Sequence, residues 1–198
     1  MLLIKSLLLL CSILTFGAQI QAAEPKGPVI SLSYGGYQTS DGTDTVTGSQ
    51  LSITFFDYFT EHWSYLIRLS HGTASGQHTK DGESYDLSAS TTTLSAGPQW
   101  STNIDVNSDK REDLTPYLSA GLSVQRYTYD FDYQDSEVGK ASGTGYGPFA
   151  SLGLRISLSS NFVIIPGYTY EQISIETEEG EKRAFTSSGY SLALVARF

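Results

Sequence analysis

The 198-residue sequence predicts an all-β protein that folds as one antiparallel barrel of eight strands. Three observations predict this fold class. Apolar and polar residues alternate with a period of two in eight segments, and helical periodicity is almost absent. One face of each segment is apolar, and the other carries mainly glycine, serine and threonine. About 22 residues for each strand and its connection use up the exported chain, so no second domain is expected.

The first 22 residues differ in composition from the rest. Lys5 precedes a largely apolar run from Leu7 to Phe16, and small residues follow around Ala22. This order is typical of a secretory signal peptide, so we expect residues 1–22 to be cleaved and residues 23–198 to form the barrel domain. Cleavage removes Cys11, the only cysteine, so the exported chain has no disulfide and no thiol nucleophile or metal ligand.

The eight strand segments follow one another along the whole exported chain. In chain order they are Val29–Tyr37, Gln50–Phe56, Trp63–Ser70, Asp86–Trp100, Pro116–Val124, Gly147–Leu158, Phe162–Glu171 and Gly189–Phe198. The fifth is representative, because Leu118 and Leu122 share one face while Ser119 and Ser123 share the other. Each segment is about ten residues long, the length that crosses a bilayer as a tilted strand.

The composition of the two faces predicts that the barrel spans a membrane. A solvated sheet face is normally rich in lysine and glutamate, whereas the second face here is small and uncharged for most of its length. Small polar groups fit the crowded inside of a narrow closed barrel. The apolar face then contacts lipid, and closure leaves no unpaired backbone edge in hydrocarbon. The sequence therefore predicts an eight-stranded, antiparallel, up-and-down transmembrane β-barrel.

Connections alternate between short and long, as this topology requires. Asp57–His62 and Ser159–Asn161 are short and are predicted as periplasmic turns. The predicted external loops are longer, polar and glycine-bearing: Thr39–Val46, Thr73–Tyr85, Asp130–Ser142 and Glu176–Arg183. The connection Ser101–Leu114 breaks the pattern because it is long and charged. Either that hairpin extends beyond the membrane or the strand count is different there.

Aromatic residues gather near the predicted strand ends, where their rings fit the headgroup level. They are Tyr58, Phe59, Trp63, Trp100, Tyr117, Tyr127, Tyr129, Tyr168 and Tyr170. The fifth strand contains a conflict, since Leu118 to Val124 use even positions whereas Tyr127 and Tyr129 use odd ones. A bulge near Gln125–Arg126 reconciles the two, and so does a strand that rises above the bilayer at that point.

Four charged residues share the small polar face and are expected inside the barrel: Arg68, Arg155, Glu171 and Arg197. Buried charges must be paired or hydrated, and an eight-stranded barrel is barely wide enough for its own side chains. We therefore expect Arg–Glu contacts, with tyrosine and serine, to close the lumen. A narrow pore that passes small solutes is the alternative.

The end of the chain resembles a known class of protein. Tyr190, Leu192, Leu194, Ala196 and Phe198 alternate up to a terminal aromatic residue, and Thr115–Tyr127 is similar to a membrane strand of the same class. Together with the leader, these features resemble the small Gram-negative outer-membrane barrels of the OmpX/Ail and OmpA-like type. The resemblance implies that the last residues are an assembly signal and that the barrel-assembly machinery and periplasmic chaperones are partners. It also implies contact with outer-membrane lipid and lipopolysaccharide. Roles in such families include membrane integrity, adhesion, complement resistance and narrow pores, and these residues select none of them.

Enzymatic and metal chemistry find little support in the sequence. A lipid A-modifying barrel needs serine, histidine and an acid on one face, but Ser70 and His71 are neighbours and so point to opposite faces. The acidic segments Asp130–Glu137 and Glu176–Glu181 do not have the spacing of an EF-hand calcium loop. We therefore expect no catalytic residues, no cofactor and no metal site.

The whole chain has 12 basic and 21 acidic residues and a net charge of −9, and the predicted external loops are its most acidic part. The loop regions hold thirteen acids: Asp41, Asp44, Asp81, Glu83, Asp86, Asp130, Asp132, Asp135, Glu137, Glu176, Glu178, Glu179 and Glu181. Their bases are Lys80, Lys140, Lys182 and Arg183. This surface disfavours nucleic acid and suits a basic extracellular partner.

Overall fold

The computed structural model describes residues 29–40, 42, 44–80, 83–102, 104–105, 113–133, 136–158, 162–176 and 182–196. The predicted signal peptide lies outside the described residues, as do Arg197 and Phe198. Within the described ranges, no helix has the length and apolar character needed to cross a bilayer.

Eight long strands and one short one make up the described structure. They are β1 (Val29–Ser40), β2 (Thr45–Tyr58), β3 (Trp63–Lys80), β4 (Glu83–Ser101), β5 (Ile104–Asp105), β6 (Asp113–Tyr133), β7 (Ser136–Ser157), β8 (Phe162–Glu176) and β9 (Lys182–Ala196). The long strands pair in the order β4-β3-β2-β1-β9-β8-β7-β6, and β6 pairs with β4 to close the ring. Every pairing is antiparallel. The predicted eight-stranded up-and-down barrel is therefore confirmed.

The apolar face of the strands points away from the barrel, as predicted. Leu122, Leu152 and Leu194 are 58%, 56% and 53% exposed. Ser123, which follows Leu122, and Ser151, which precedes Leu152, are buried. Since successive side chains of a strand alternate between faces, this pattern repeats around the ring. The outward leucines, isoleucines and aromatic residues form a continuous apolar belt.

The strands are longer than the sequence pattern predicted, and this corrects the predicted external loops. β6 has 21 residues and β7 has 22, whereas about 9–11 suffice to cross a bilayer. Most of the predicted loop Thr73–Tyr85 lies in β3 and β4. The extra length lies at the end of the barrel where β1–β2, β3–β4, β6–β7 and β8–β9 are connected. We call this the loop end, and the end where β1 begins and β9 ends the terminal end.

The described part of the charged connection Ser101–Leu114 extends the β4–β6 hairpin. Its short strand β5 pairs with the beginning of β6, where Ile104 faces Leu114 and Asp105 faces Asp113. The strand count of the ring is unaffected, because β5 pairs with β6 alone. Of the two alternatives, the structure shows the extended hairpin.

The fifth long strand, β6, has no bulge where the sequence conflict suggested one. Its pairing with β7 keeps one register from Leu114 to Phe131 and shifts only between Phe131 and Asp132. Tyr127 and Tyr129 are buried inside the barrel rather than exposed at a rim. Tyr117, also predicted as a rim residue, packs against an internal cluster. By contrast, Trp63 and Trp100 are exposed cross-strand partners at the terminal end.

Glycine on the inner face leaves room for these inward tyrosines. A Cβ on Gly153 would come within 2.5 Å of the Tyr117 hydroxyl, and a Cβ on Gly167 within 2.6 Å. Gly153 and Gly167 are direct partners on β7 and β8, so the Tyr117 ring lies over a paired glycine gap. The Tyr117 ring therefore fits inside the barrel only because the residues beneath it, Gly153 and Gly167, have no side chain.

Candidate functional site

The barrel interior changes character along its length. At the terminal end, apolar side chains form two small clusters, one of Phe56, Leu66 and Phe149 and one of Val163, Ile165, Ala193 and Val195. The middle of the barrel is lined mainly by serine and threonine. At the loop end, a larger cluster comprises Tyr37, Val46, Ala74, Leu87, Ala89, Tyr127, Tyr129, Ile173 and Ile175, with Phe185 packed against it. We call this last group the loop-end cluster. Polar contacts are therefore enclosed between two apolar layers.

An ion pair crosses the middle of the barrel. Arg68 on β3 donates from Nη2 to Oε1 of Glu171 on β8 at 3.2 Å, and both side chains are largely buried. Three strands separate β3 from β8 on either path around the ring, so the two strands lie opposite each other. The pair therefore spans the diameter of the lumen rather than lining one wall.

Hydroxyl groups complete the coordination of this pair. The Oγ atoms of Ser95 and Ser123 each lie 3.3 Å from Glu171 Oε1 and 2.9 Å from each other, so the two hydroxyls and the carboxylate share one hydrogen-bond network. Arg68 Nη1 donates to Thr169 Oγ1 at 2.8 Å, and its guanidinium lies 5.3 Å from the centre of the Phe149 ring. Buried charges are tolerated when their hydrogen-bonding capacity is met in this way. Residues from five strands thus contact one another at this level and together block the lumen.

A second cation closes the terminal end. Arg155 on β7 is buried and donates from Nη1 to the Tyr58 hydroxyl. Its guanidinium lies 5.0 Å from the centre of the Phe56 ring, 5.4 Å from that of Tyr58 and 5.6 Å from that of Tyr117. Three rings around one guanidinium combine cation–π attraction with exclusion of water. The terminal end is therefore filled by an arginine held among aromatic residues.

Among the described residues, the space left beside the ion pair is small. A cavity of about 60 Å³ lies beside the ion pair and is lined by Arg68, Glu171, Thr169, Tyr37 and Tyr117 together with serines from several strands. This volume holds no more than a few water molecules. The interior therefore resembles a packed core with a polar centre more than a channel.

The structure places the predicted interior charges as follows. Arg68, Arg155 and Glu171 lie inside the barrel. Arg68 and Glu171 are in contact, whereas Arg155 lies apart at the terminal end. Arg197 lies outside the described residues. Of the predicted assembly signal, Tyr190, Leu192 and Leu194 are exposed on the outer face of β9. The backbone of Ala196 ends that strand, and Phe198 lies outside the described residues.

The residues considered for catalysis do not converge. Ser70 is buried on the inner face, whereas His71 is exposed on the outer face and its Nδ1 lies 3.0 Å from Thr92 Oγ1. Glu171 is committed to the internal ion pair. Among the side chains that the structure describes, no group of three or more His, Cys, Asp or Glu residues is close enough to hold a metal ion. The acidic segments predicted as loops fall largely outside the described side chains.

Sequence reasoning missed the loop-end cluster. The only signal for it was the change of parity on β6, where the apolar residues move from even to odd positions after Val124. The structure shows that the register of β6 does not change at this point. The apolar side chains change faces because the barrel leaves the apolar belt there.

A closed, eight-stranded barrel with an outward apolar belt and a filled interior defines the class of small outer-membrane barrels. The family model described as "Outer membrane protein beta-barrel domain" matches residues 8–198. The chain therefore belongs to the outer-membrane β-barrel family and is a protein of the outer membrane. A comparison with curated proteins finds no match.

Solved structures share the fold. The crystal structure of Neisserial surface protein A superposes with a TM-score of 0.59 at 16% identity, covering 89% of this chain and 100% of that one. The outer-membrane protein OprG of Pseudomonas aeruginosa gives 0.59 at 12% identity, covering 89% and 98%. The attachment invasion locus protein Ail of Yersinia pestis gives 0.50 at 16% identity, covering 86% and 97%. At these identities the likeness concerns the fold alone.

Proposed function

We propose that the protein is a closed, non-enzymatic surface barrel of the outer membrane with a structural and surface-interaction role. The observation that carries this proposal is the Arg68–Glu171 ion pair, which joins opposite strands across the lumen. A pore needs a continuous water path at this level, whereas the pair and its hydroxyl partners occupy it. The apolar layers on both sides make conduction still less favourable, because water and ions are costly to place there.

The proposed orientation has both termini in the periplasm and the loop end outside the cell. The extra strand length supports it, because β3, β4, β6 and β7 continue past the apolar belt at the loop end and the longer segments outside the membrane are extracellular in barrels of this class. In this orientation, the connections on the outer side of the membrane are the ones whose sequence is acidic. A field of this sign favours basic partners and steers them toward the loop end. The proposed interaction is therefore with a basic extracellular surface, after export through a cleaved signal peptide and insertion by the barrel-assembly machinery.

Conductance in planar lipid bilayers tests the closed lumen. We expect the refolded protein to give no discrete channels, because the Arg68–Glu171 pair fills the middle of the barrel. The double variant Arg68→Ser/Phe149→Ala removes the guanidinium and the ring beneath it, and it should produce a small leak. Heat-modifiable gel migration and a β-type circular dichroism spectrum establish that each sample is folded. Discrete channels in the folded wild-type protein contradict the proposal and favour a narrow porin.

A further inference from the structure

The first and last strands close the ring without a turn between them. β1 pairs with β9 from Ser31, opposite Val195, to Ser40, opposite Thr186, and we call this pairing the seam. Every other pair of neighbouring long strands in the described ring is consecutive along the chain. A connecting turn fixes the register of a hairpin, and the seam has no such turn. Its register therefore has to be set by side chains.

Many of the side chains at the seam specify the register only weakly. On the inner face, the small residues Ser33 and Ala193 are direct partners. On the outer face, Leu32 faces Leu194, and both are about half exposed, so lipid can replace this contact after a shift. A shift of two residues keeps every side chain on its own face, because successive side chains alternate. Burial alone therefore does not prevent such a shift.

Two glycine–tyrosine dipeptides meet in the middle of the seam. Gly36 and Tyr37 on β1 pair antiparallel with Tyr190 and Gly189 on β9, so that each tyrosine is the direct partner of a glycine. On the outer face, a Cβ on Gly36 would come within 2.8 Å of the Tyr190 hydroxyl oxygen and 2.9 Å of its Cζ. On the inner face, a Cβ on Gly189 would lie 2.9 Å from the Cβ of Tyr37. We call these four residues the Gly–Tyr clasp.

The inner half of the clasp is held by contacts with other strands. Tyr37 is buried, its hydroxyl lies 3.4 Å from Thr91 Oγ1 on β4, and its ring lies against Gly72 on β3. One inner pair farther toward the loop end, the hydroxyl oxygens of Ser187 and Thr39 lie 2.9 Å apart across the seam. Tyr37 is therefore fixed in position, and the strand opposite has to present a glycine to it.

A shifted register breaks both halves of the clasp. Moving β9 by two residues places Tyr190 opposite either Gln38 or Tyr34. Tyr37 then meets a serine in place of a glycine, and Gly36 loses the ring that covers it. Crowding at one position and an unfilled gap at another both cost packing contacts. Only the native register avoids both.

We propose that the Gly–Tyr clasp sets the register in which the first and last strands close the barrel. The register of the closing pair fixes the stagger of the whole ring, and stagger and strand number together determine its width. The clasp thereby keeps the lumen narrow enough for Arg68 to reach Glu171. This role differs from that of the predicted assembly signal, which concerns recognition of the last strand by other proteins.

Cysteine cross-linking during refolding tests the clasp with no other protein present. Cys11→Ser removes the only cysteine of the chain, so that two new cysteines on the inner face report the register. Ser33→Cys/Ala193→Cys joins direct partners, whereas pairing Ser33→Cys with Ser191→Cys or with Val195→Cys joins residues that are partners only after a shift of two. The full chain is refolded from urea into detergent micelles with copper–phenanthroline as the oxidant. We expect the native pair to cross-link about tenfold more than either shifted pair, because direct partners are about 5 Å apart and diagonal ones about 7–8 Å.

Exchange of the ring and the gap across the seam identifies the clasp as the cause. Gly36→Tyr alone places two rings opposite each other, and the shifted cross-links should rise about fivefold or more, the effect of overpacking by one side chain. Gly36→Tyr/Tyr190→Gly restores one ring and one gap and should restore the native pattern. Tyr34→Leu is the matched control, because it changes the neighbouring outward ring of the same strand and should leave the pattern unchanged.

Heat-modifiable gel migration identifies the folded fraction, in which the cross-links are scored. Equal shifted cross-linking in the wild type and Gly36→Tyr overturns the proposal, as does an exchange variant that stays shifted or a Tyr34→Leu variant that shifts as much as Gly36→Tyr. Tyr190→Leu gives a second reading if Gly36→Tyr does not fold, since it removes the ring and leaves the gap, and an unchanged pattern there also rejects the clasp. None of these outcomes depends on conductance, so the closed lumen is tested separately.

Discussion

Along β6, the two halves of the barrel place their apolar side chains on opposite faces of the strand. In the belt half, Leu122 faces outward and Ser123 is buried, so at this level the interior is polar and the outer surface is apolar. In the loop-end half of the same strand, Tyr127 is buried and Thr128 faces outward. Since β6 keeps one register from Leu114 to Phe131, the reversal arises from the residues alone. The comparison shows that the surrounding solvent decides which face of a continuous strand is apolar.

The two interiors therefore depend on different forces. The loop-end cluster is stabilised by removal of apolar surface from water, as in a soluble protein. At the level of the ion pair the barrel has lipid outside, so burial of apolar groups inside offers little advantage, and the interior there relies on hydrogen bonds and one ion pair. Each prediction below changes a residue whose effect should differ between these halves.

The largest effect is expected at the internal ion pair of the belt half. Glu171→Ala leaves the buried Arg68 without its counter-ion, and removal of one partner of a buried pair typically costs about 3–5 kcal/mol. We expect a loss of that order in the free energy of unfolding, measured by urea titration of the protein in micelles.

The double variant Arg68→Met/Glu171→Leu is the control for this effect. It replaces both charges by apolar groups of similar length, which is often neutral or stabilising for a buried pair. We expect the double variant to recover most of the stability lost in Glu171→Ala. A double variant as unstable as the single one shows that the hydroxyl network around Ser95 and Ser123, rather than the pairing of charge, sets the stability of the belt interior.

The sequence predicted most of the structure of the belt half and little of the structure of the loop-end half. The period-2 pattern predicted the strands and the lipid-facing residues, because a single-sided apolar face is a strong local signal. The pairing of Arg68 with Glu171 was not readable, since it depends on which strands lie opposite each other in the closed ring. The true length of β3 and β4 was also missed, because their loop-end segments are rich in serine, threonine and glycine and resemble loops.

An intermediate effect is expected on the outer face, where one substitution can be made in both halves of β6. Leu122→Arg places a charge in the apolar belt, which costs about 2–4 kcal/mol near the middle of a bilayer. Thr128→Arg places the same side chain beyond the belt and should cost less than about 1 kcal/mol.

Unfolding of both variants from lipid vesicles measures this difference. Equal losses at the two positions mean that Thr128 also contacts acyl chains and that the belt extends farther toward the loop end than the exposed leucines indicate. A small loss at both positions means that Leu122 does not face lipid.

The smallest effect is expected inside the loop-end cluster. Ile173 on β8 is fully buried, and Ile173→Val removes one methylene from a packed apolar core, at a cost of about 0.5–1.5 kcal/mol. Ile164→Val on the same strand is the matched control, because its side chain lies on the belt face where acyl chains fill the vacated space, and we expect a change below about 0.5 kcal/mol. Amide hydrogen exchange locates the effect, since a local loss speeds exchange near Ile173 and Phe185 and leaves the belt amides protected. Faster exchange throughout the barrel would instead show that the two halves unfold as one unit despite their opposite construction.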